Sequence, residues 1–499
     1  MEASAAHLGS PRGDGVVAVY WIAGVCAFLA LAAVAAGANA VYVSAPFAAG
    51  FAFAAAQRWL LAWRTMISLI LAVIVLVPMK RYSLLGGTLP FQIEPYRVLI
   101  AAVAIGWGGS LLVDPAARVR RTMIDVPLFM VATSLIVSDF VNWGRVSGLS
   151  VTGEVIKKLT FFVSYVVLVY LISSTITRRR EVDQLIKVLV STGTFVAIAG
   201  LYESRTGYNL FNHIHEFFPP LHLDPTTIPQ TSADDRGGRL RIFASSEHPI
   251  ALSAMFAMMI PLGIYLAQRT GNRRWWACTA MLGIGVLATV SRTGILMLVT
   301  LLIVYAILKP AATRRALPML LPLIIVAHAA VPGAIGSLKS AFFPPGGVVA
   351  EQQWGAGQNS SGRLADLGPS LQEWKRSPLL GDGYGTRITD IDDPRVNALI
   401  LDDQWLGSLL ETGLFGVVAV GWLLARSVRR LGRFAKREDS DHGWLLAGLA
   451  ASISAYGVGM FTFDAFNFYQ VTLLLFILLA LGAAALRPEV AAGLEARAT

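Results

Sequence analysis

The sequence is poor in cysteine, histidine and charge, and each shortage removes a class of protein. Only two cysteines, Cys26 and Cys278, stand in 499 residues, and both fall inside apolar runs. That excludes a disulfide scaffold, and no Cys-x-x-Cys or Cys/His spacing is there to hold zinc, so both read as packing residues. Seven histidines are scattered along the chain. Their one close group, "NHIHEF" at 212–217, offers His213, His215 and Glu216 without a third ligand, a poor metal site. Charged residues make up 14% of the chain, where a soluble domain carries about 25%.

What replaces the charge is apolar length. The chain is 55% hydrophobic, its mean hydropathy is +0.61, and many apolar runs approach the ~20 residues that span a bilayer as a helix. This is the composition of a polytopic α-helical membrane protein. The N-terminal "MEASAAHLGSPRGDG" lacks the basic start and cleavage site of a signal peptide, so 16–37 reads as a retained helix. A net charge of +10 raises nucleic acid as a partner. The excess lies in short connections between apolar runs, so it is a topology signal and no nucleic acid is expected.

Spans are expected near 16–37, 41–56, 62–78, 95–113, 123–141, 155–173, 183–202, 247–267, 275–290, 292–308, 316–332, 404–424, 444–463 and 466–486. The second is short and rich in Gly and Ala, and can be re-entrant. Basic residues crowd alternate connections: Arg118, Arg120 and Arg121; Arg178 to Arg180; Arg269, Arg273 and Arg274; Lys309, Arg314 and Arg315; and a run from Arg426 to Arg437. The positive-inside rule puts these connections, and both termini, in the cytoplasm. Lys80, Arg81, Lys157 and Lys158 fall on the wrong side of that scheme. It leaves two long segments, 203–246 and 334–403, at the outer face, too long to be mere connectors. The chain then divides into N-terminal helices (1–180), central helices (181–333), the large outer loop (334–403) and C-terminal helices with a short tail (404–499).

From Trp275 to Leu308 the chain runs 34 residues with one charge, Arg292. A single helix of that length would span ~50 Å against ~30 Å of hydrocarbon, so the run should be two crossings that reverse at Ser291–Arg292. Arg292 then sits at the outer face. There it meets "GRLRIFASSEHPIAL" (238–252), with Arg239, Arg241, Glu247 and His248 before a span. It also meets "GRLADLGPSLQEWKRSPLLGDGYGT" (362–386), with Arg363, and "LDDQWLGSLLETGLFG" (401–416), where Asp402 and Asp403 open a helix. Several arginines and carboxylates at a membrane surface suit a phosphorylated lipid. Guanidinium binds phosphate oxygens bidentately and keeps its charge, and a carboxylate can take the proton of an attacking hydroxyl.

In order and spacing these motifs resemble the O-antigen ligase/O-antigen polymerase superfamily of bacterial surface-glycan enzymes over roughly residues 180–486. The family pattern Arg-x-x-[Gly/Ala]…His-Pro has its counterpart in Arg241, Ala244, His248 and Pro249. Its Ser-Arg between two spans is Ser291–Arg292. Its outer loop with Arg, an aromatic and a Pro…Gly-x-Gly turn is matched by Arg363, Trp374, Pro378, Gly381 and Gly383. Its closing motif is matched by Asp402, Asp403, Trp405, Leu406, Glu411, Gly413 and Gly416. The resemblance implies an all-α polytopic bundle of about 12–14 transmembrane helices with a large extracytoplasmic loop, a glycosyltransferase of the type C class in the cell (inner) membrane. It implies transfer of a glycan from polyprenyl diphosphate to a hydroxyl acceptor, glycan or lipid, without metal or other cofactor. Arg241, Arg292 and Arg363 are then expected to bind the diphosphate, with Arg239 and His248 in support, and Asp402 or Asp403 to act as base. The partners expected are the lipid-linked glycan, membrane lipids and a chain-length regulator. Ligases carry His and Asn where this chain has Asp402 and Asp403, and the Asp form is more similar to the exopolysaccharide or repeat-unit polymerases.

Blander readings stand beside these. Arg292 can be an interfacial arginine snorkelling to lipid phosphates, and Arg239 and Arg241 solvated loop charges. His248 can be a structural hydrogen-bonding residue and Asp402 only a helix cap, while Asp464, in "FTFDAFNF", either joins the site or is a solvated turn residue. Glu94 and Arg97 read as a local pair at a helix start. A flippase or transporter of the same lipids is the competing function. It predicts inverted repeats and charges near the bilayer midplane, whereas no repeat is evident and the charges gather at one face.

Overall fold

A computed structural model describes residues 62–84, 93–228, 241–330, 333, 336, 339, 366–389, 393–398 and 400–491. The chain divides into two compact units, Met1–Met66 and Ile67–Thr499, and nearly all described residues lie in the second. The spans expected near 16–37 and 41–56 lie outside the described residues, as do Arg239 and Arg363.

Among the described residues the protein is helical, with one small antiparallel pair of strands. The long helices are α1 (Trp63–Leu76), α2 (Pro95–Val113), α3 (Asp125–Val141), α5 (Thr152–Thr175) and α6 (Arg179–Thr206), with the short α4 (Trp143–Gly148) after α3. Then come the short α7 (Ile214–Phe217), α8 (Pro249–Thr270), α9 (Arg273–Ala288), α10 (Arg292–Leu308), the short α11 (Pro310–Ala316) and α12 (Leu320–Ala330). The last group is α13 (Leu367–Trp374), α14 (Gln404–Arg437), α15 (Asp441–Gly459), α16 (Tyr469–Ala485) and the short α17 (Pro488–Ala491). Strands β1 (Tyr82–Ser83) and β2 (His222–Leu223) pair antiparallel, Tyr82 opposite Leu223. Five helices, α2, α5, α6, α8 and α14, are long and apolar enough to cross a membrane, and α1, α10 and α16 are shorter apolar helices.

Each span expected from 62 onward has a helix at its place. The 34-residue run is two helices, α9 and α10, separated at residues 289–291. The reversal is sharp: a Cβ on Gly294 would lie 2.8 Å from Val286, where one continuous helix would put eight residues' rise, about 12 Å, between them. The legs then part, α9 packing on α6 and α8, and α10 on α8 and α15. One boundary differs. The connection expected at 425–443 is mostly helix, because α14 continues to Arg437 and α15 begins at Asp441. Past the apolar stretch α14 becomes amphipathic, burying Ser427, Leu431 and Ala435 while Arg429, Arg430 and Arg433 face outward.

α16 is buried along its whole length and forms the middle of the bundle with α8 and α15. A helix apolar on every side has no other stable place. Around this centre, α2, α3 and α12 turn apolar side chains outward, among them Ile105, Phe129 and Leu321, the surface expected of helices that face lipid.

The two ends of the bundle differ. At one end lie the start of α6 and the ends of α8 and α10, where Arg269 pairs with Asp183 (2.8 Å) and Asp441 (3.0 Å), and Lys309 with Asp439 (2.9 Å). The other end gathers the ends of α1, α6, α9 and α15 with the starts of α8, α10, α14 and α16, and carries the candidate site.

Candidate active site

The loop Met460–Phe468, between α15 and α16, is the hub of this end. Gln404, first residue of α14, donates its backbone N–H to the carbonyls of Met460 (2.8 Å) and Phe463 (3.2 Å), and its side-chain oxygen accepts from Phe466 N (2.6 Å). At the start of α10, the Thr293 hydroxyl donates to Thr462 O (3.4 Å). Gln470, opening α16, donates to Ile74 O (2.8 Å), and Ser245 to Val75 O (2.6 Å). Segments separated by hundreds of residues therefore meet around one loop.

Ser291 caps α10, its hydroxyl accepting from Gly294 N (3.3 Å), and Arg292 is the first residue of that helix. The preceding Val290 holds φ +49, a costly conformation for a β-branched residue that persists only where its surroundings enforce it. Arg241 is buried and donates through Nε to the carbonyl of Thr289 (3.2 Å), three residues before Arg292. The structure thus brings Arg241 and Arg292 to one helix break. The 241–247 stretch is itself anchored. Ala244 holds φ +44, its N–H donates to Glu203 (2.8 Å), and its carbonyl accepts from Arg81 (3.1 Å). Arg81 also donates to Ser246 O and to Asn212 (3.1 Å). Burial lowers the Arg81 pKa to about 10, still far above neutrality, so it stays a cation. Lys80 pairs with Glu247 (2.6 Å). Burial pulls the Lys80 ammonium down, but Glu247 and its neighbours outweigh it and leave the pKa raised.

This accounts for three of the four basic residues that broke the charge pattern. Lys80, Arg81 and Lys158 are each held by a carboxylate or carbonyl, Lys158 pairing with Glu411 (3.0 Å), whereas Lys157 is exposed and only loosely paired with Glu154 (3.6 Å). The signal that could have found them was the misfit itself, since the topology rule counts solvated loop charges.

His248 is the N-cap of α8, Nδ1 accepting from Ile250 N (3.1 Å), and its ring lies 5.7 Å from that of Phe468. The structural role offered for it is therefore present, on the rim of the hub. The two aspartates separate. Asp403 is the cap of α14, accepting from Leu406 N (3.1 Å). Asp402, one residue earlier, leaves that role to its neighbour. Its negative charge is felt by Asp366 and by Asp464, whose carboxyls are both raised, chiefly by burial. Asp464 does not fit the reading as a solvated turn residue, one of the two given for it. It is half-buried, receives Asn467 as a donor, and has its pKa raised to about 6 by burial, with the nearby Lys158 pulling the other way. Nothing in its sequence context shows this, because the turn becomes crowded only when α5 and α14 pack beside it. Glu94 and Arg97 form the expected pair (2.8 Å).

The glycine-rich turn has a definite purpose. α14 is broken at Gly413 (φ +64, ψ −166), which orphans carbonyls before the break and N–H groups after it. The backbone of Pro378–Gly383 fills the gap. Leu414 N donates to Pro378 O (3.0 Å) and Phe415 N to Leu379 O (3.1 Å). In return Asp382 N donates to Leu410 O (2.9 Å) and Gly383 N to Glu411 O (3.1 Å). The crossing is too close for side chains: a Cβ on Gly413 would lie 2.3 Å from Leu379 C, and one on Gly381 2.5 Å from Glu411 C. α3 and α4 clamp the lock: Ser138 of α3 donates to Glu411 O (2.7 Å), Asn142 between the two helices to Gly381 O (2.9 Å), and Arg145 of α4 to Asp382 (2.6 Å). The Trp374 indole donates to Pro378 O (3.0 Å). Non-helical backbone at membrane depth is tolerated where protein satisfies it, and here it does.

Residues 277–421 match the family model described as O-antigen ligase. The matched stretch begins in α9, contains the Ser291–Arg292 break and the segment 334–403, and ends beyond the lock in α14. No protein of curated function matches the chain.

Proposed function

We propose that this polytopic membrane protein, whose residues 277–421 match the O-antigen ligase family model, moves a glycan from polyprenyl diphosphate to a hydroxyl acceptor at the outer membrane face, as an exopolysaccharide or repeat-unit polymerase. The observation that carries the proposal is the pairing of Arg241 with the break that Arg292 opens. Two guanidiniums at a helix N-terminus, where backbone N–H groups and the helix dipole also favour negative charge, make a diphosphate site. In the reaction the anomeric C–O bond to the diphosphate breaks as the acceptor oxygen bonds to the anomeric carbon. The arginines stabilise the charge growing on the leaving diphosphate. Asp402 accepts the acceptor's proton while Asp403 holds the helix end. Arg239 and Arg363 are proposed as further diphosphate contacts, and His248 as a rim residue. Asp402 standing where ligases carry His favours polymerase over ligase. Cytoplasmic termini and a chain-length regulator as partner complete the proposal.

The competing flippase reading places its charges near the midplane, whereas Arg241, Arg292, Lys80 and Arg81 sit at the end of the bundle that carries the 289–291 break. Reconstitution separates the two. Purified protein in nanodiscs, given lipid-linked glycan and acceptor, is expected to lengthen the glycan and release polyprenyl diphosphate. Lipid transfer across sealed vesicles with no new glycosidic bond would sink the transferase reading.

A further inference from the structure

The end of the bundle away from the candidate site carries a surface that the proposed transfer does not use. Past its apolar stretch, α14 bears Arg426, Arg429, Arg430, Arg433, Lys436 and Arg437. At 3.6 residues per turn these cations fall within about 120° of one another, on the side opposite the buried Ser427, Leu431 and Ala435. No acidic residue stands on α14 between Gly413 and Arg437. Like charges four residues apart, as in Arg426/Arg430, Arg429/Arg433 and Arg433/Arg437, repel. The acidic residues that follow are already engaged, Glu438 by Ser440 and Asp439 by Lys309 (2.9 Å). Among the described residues, the exposed Arg429, Arg430, Arg433 and Arg437 form no ion pair.

Two other segments extend this face. Arg426 Nε donates to Met123 O (2.7 Å), which ties the Arg118–Arg121 segment to α14. A Cβ on Gly482 of α16 would lie 3.2 Å from Leu431 and 3.7 Å from Met123, so the end of α16 joins both. Arg487, just past that end, has its pKa lowered by burial and then by the charge of Arg120 beside it. A single carboxylate, Glu489, stands among these arginines, paired with Arg120 (2.6 Å) and within the field of Arg118 and Arg487.

The patch has the depth and the chemistry of a membrane surface. Arg426 to Arg433 is a rise of about 10 Å, comparable with the headgroup layer, about 5–8 Å in each leaflet. Apolar side chains are interleaved: Val119 and Phe434 are exposed among the arginines, and Leu112 and Val113 at the end of α2 are exposed just before them. A soluble acidic protein would match the cations and leave these apolar groups uncovered, whereas a lipid covers both. We infer that this face seats anionic phospholipid, its phosphate on the α14 arginines and its acyl chains against Val119, Phe434 and the end of α2. A zwitterionic headgroup brings its own cation and gains less from the same arginines. Lipid held there fixes the depth of α14, whose other end starts at the Asp403 cap, and it does so whether or not a glycan is transferred.

The test uses the full-length protein in phosphatidylcholine nanodiscs with a trace of phospholipid carrying a diazirine at the top of one acyl chain. A phosphatidylglycerol probe is expected to label 112–123 and 426–437 at least about tenfold more than a phosphatidylcholine probe, since each arginine at an anionic surface is worth about fivefold. Replacing Arg429, Arg430 and Arg433 together by Gln, all at exposed positions, should cut that preference at least about fivefold. Equal labelling by the two probes in the wild-type protein overturns the inference, as does a preference that survives intact in the triple variant. Inorganic phosphate that abolishes the preference would give the face to a soluble anion, and polyglutamate that does so would give it to an acidic protein; either result overturns the lipid claim. The comparison of probes needs only the wild-type protein, so a variant that fails to insert does not spare the inference.

Discussion

Among the described residues, the chain breaks at Gly413 within α14 and at 289–291 between α9 and α10, and the two breaks are met in opposite ways. The break at Gly413 is closed by main chain: Pro378–Gly383 satisfies the freed groups on both sides, and two glycines let the backbones touch. The break at 289–291 is met by side chains: a serine cap, a buried arginine on the Thr289 carbonyl, and Arg292 at the new helix start beside a strained Val290. A break filled by backbone is architecture. One lined by guanidinium groups and held in strain is where chemistry is expected, and the family motifs fall on both.

The contrast can be broken most severely at the lock. Gly413→Ala places a Cβ against the Leu379 backbone at positive φ. Its expected effect is loss of folded protein, a destabilisation of more than about 4 kcal/mol, read as failure of the variant to survive detergent extraction as a monodisperse species. A Gly413→Ala protein that extracts and melts like wild type would mean the lock is not structural. The aspartates come next. Asp402→Asn should reduce transfer about 10²- to 10⁴-fold with an unchanged melting temperature, and Asp402→His should keep part of the activity. Asp403→Ala should do the reverse, losing about 1 kcal/mol of stability with its cap while retaining most turnover. Equal turnover losses in both would erase the distinction drawn between them.

The smallest effect concerns Asp464. Its pKa is raised to about 6 in the folded protein against about 3.9 when unfolded. The folded state holds the proton more tightly, so the stability this group contributes is full below the unfolded value and is lost as pH rises through about 6. Asp464→Asn should therefore melt higher than wild type above pH 6, with the gap closing as pH falls towards about 4. A gap that is constant with pH would show that burial does not govern this carboxyl.

Much of the bundle was legible in the sequence because apolar length and charge asymmetry act locally. The reversal inside Trp275–Leu308 followed from bilayer thickness alone, and helix α10 begins at the arginine that marked it. The end of α14 was misplaced because hydropathy stops at the first arginines, whereas a helix continues while one face stays covered. At the site, Arg241, Arg292 and His248 were found through motif order, and the structure places all three around the hub. The lock was not legible. "GDGYG" reads as a turn and "ETGLFG" as part of the span at 404–424, and only the fold lays one against the other. The pairing of Lys158 with Glu411 and the burial of Asp464 were hidden for the same reason, since the groups around them lie on other helices.

The claim on which the account depends is that the side-chain-lined break binds the diphosphate. It is tested most directly by Arg292→Lys, which keeps the charge and removes the planar fork. With purified lipid-linked glycan as donor, turnover should fall about 10²- to 10³-fold, the loss typical of removing one transition-state donor, while the variant inserts and melts as wild type does. Turnover within a factor of two of wild type would reduce Arg292 to an interfacial anchor.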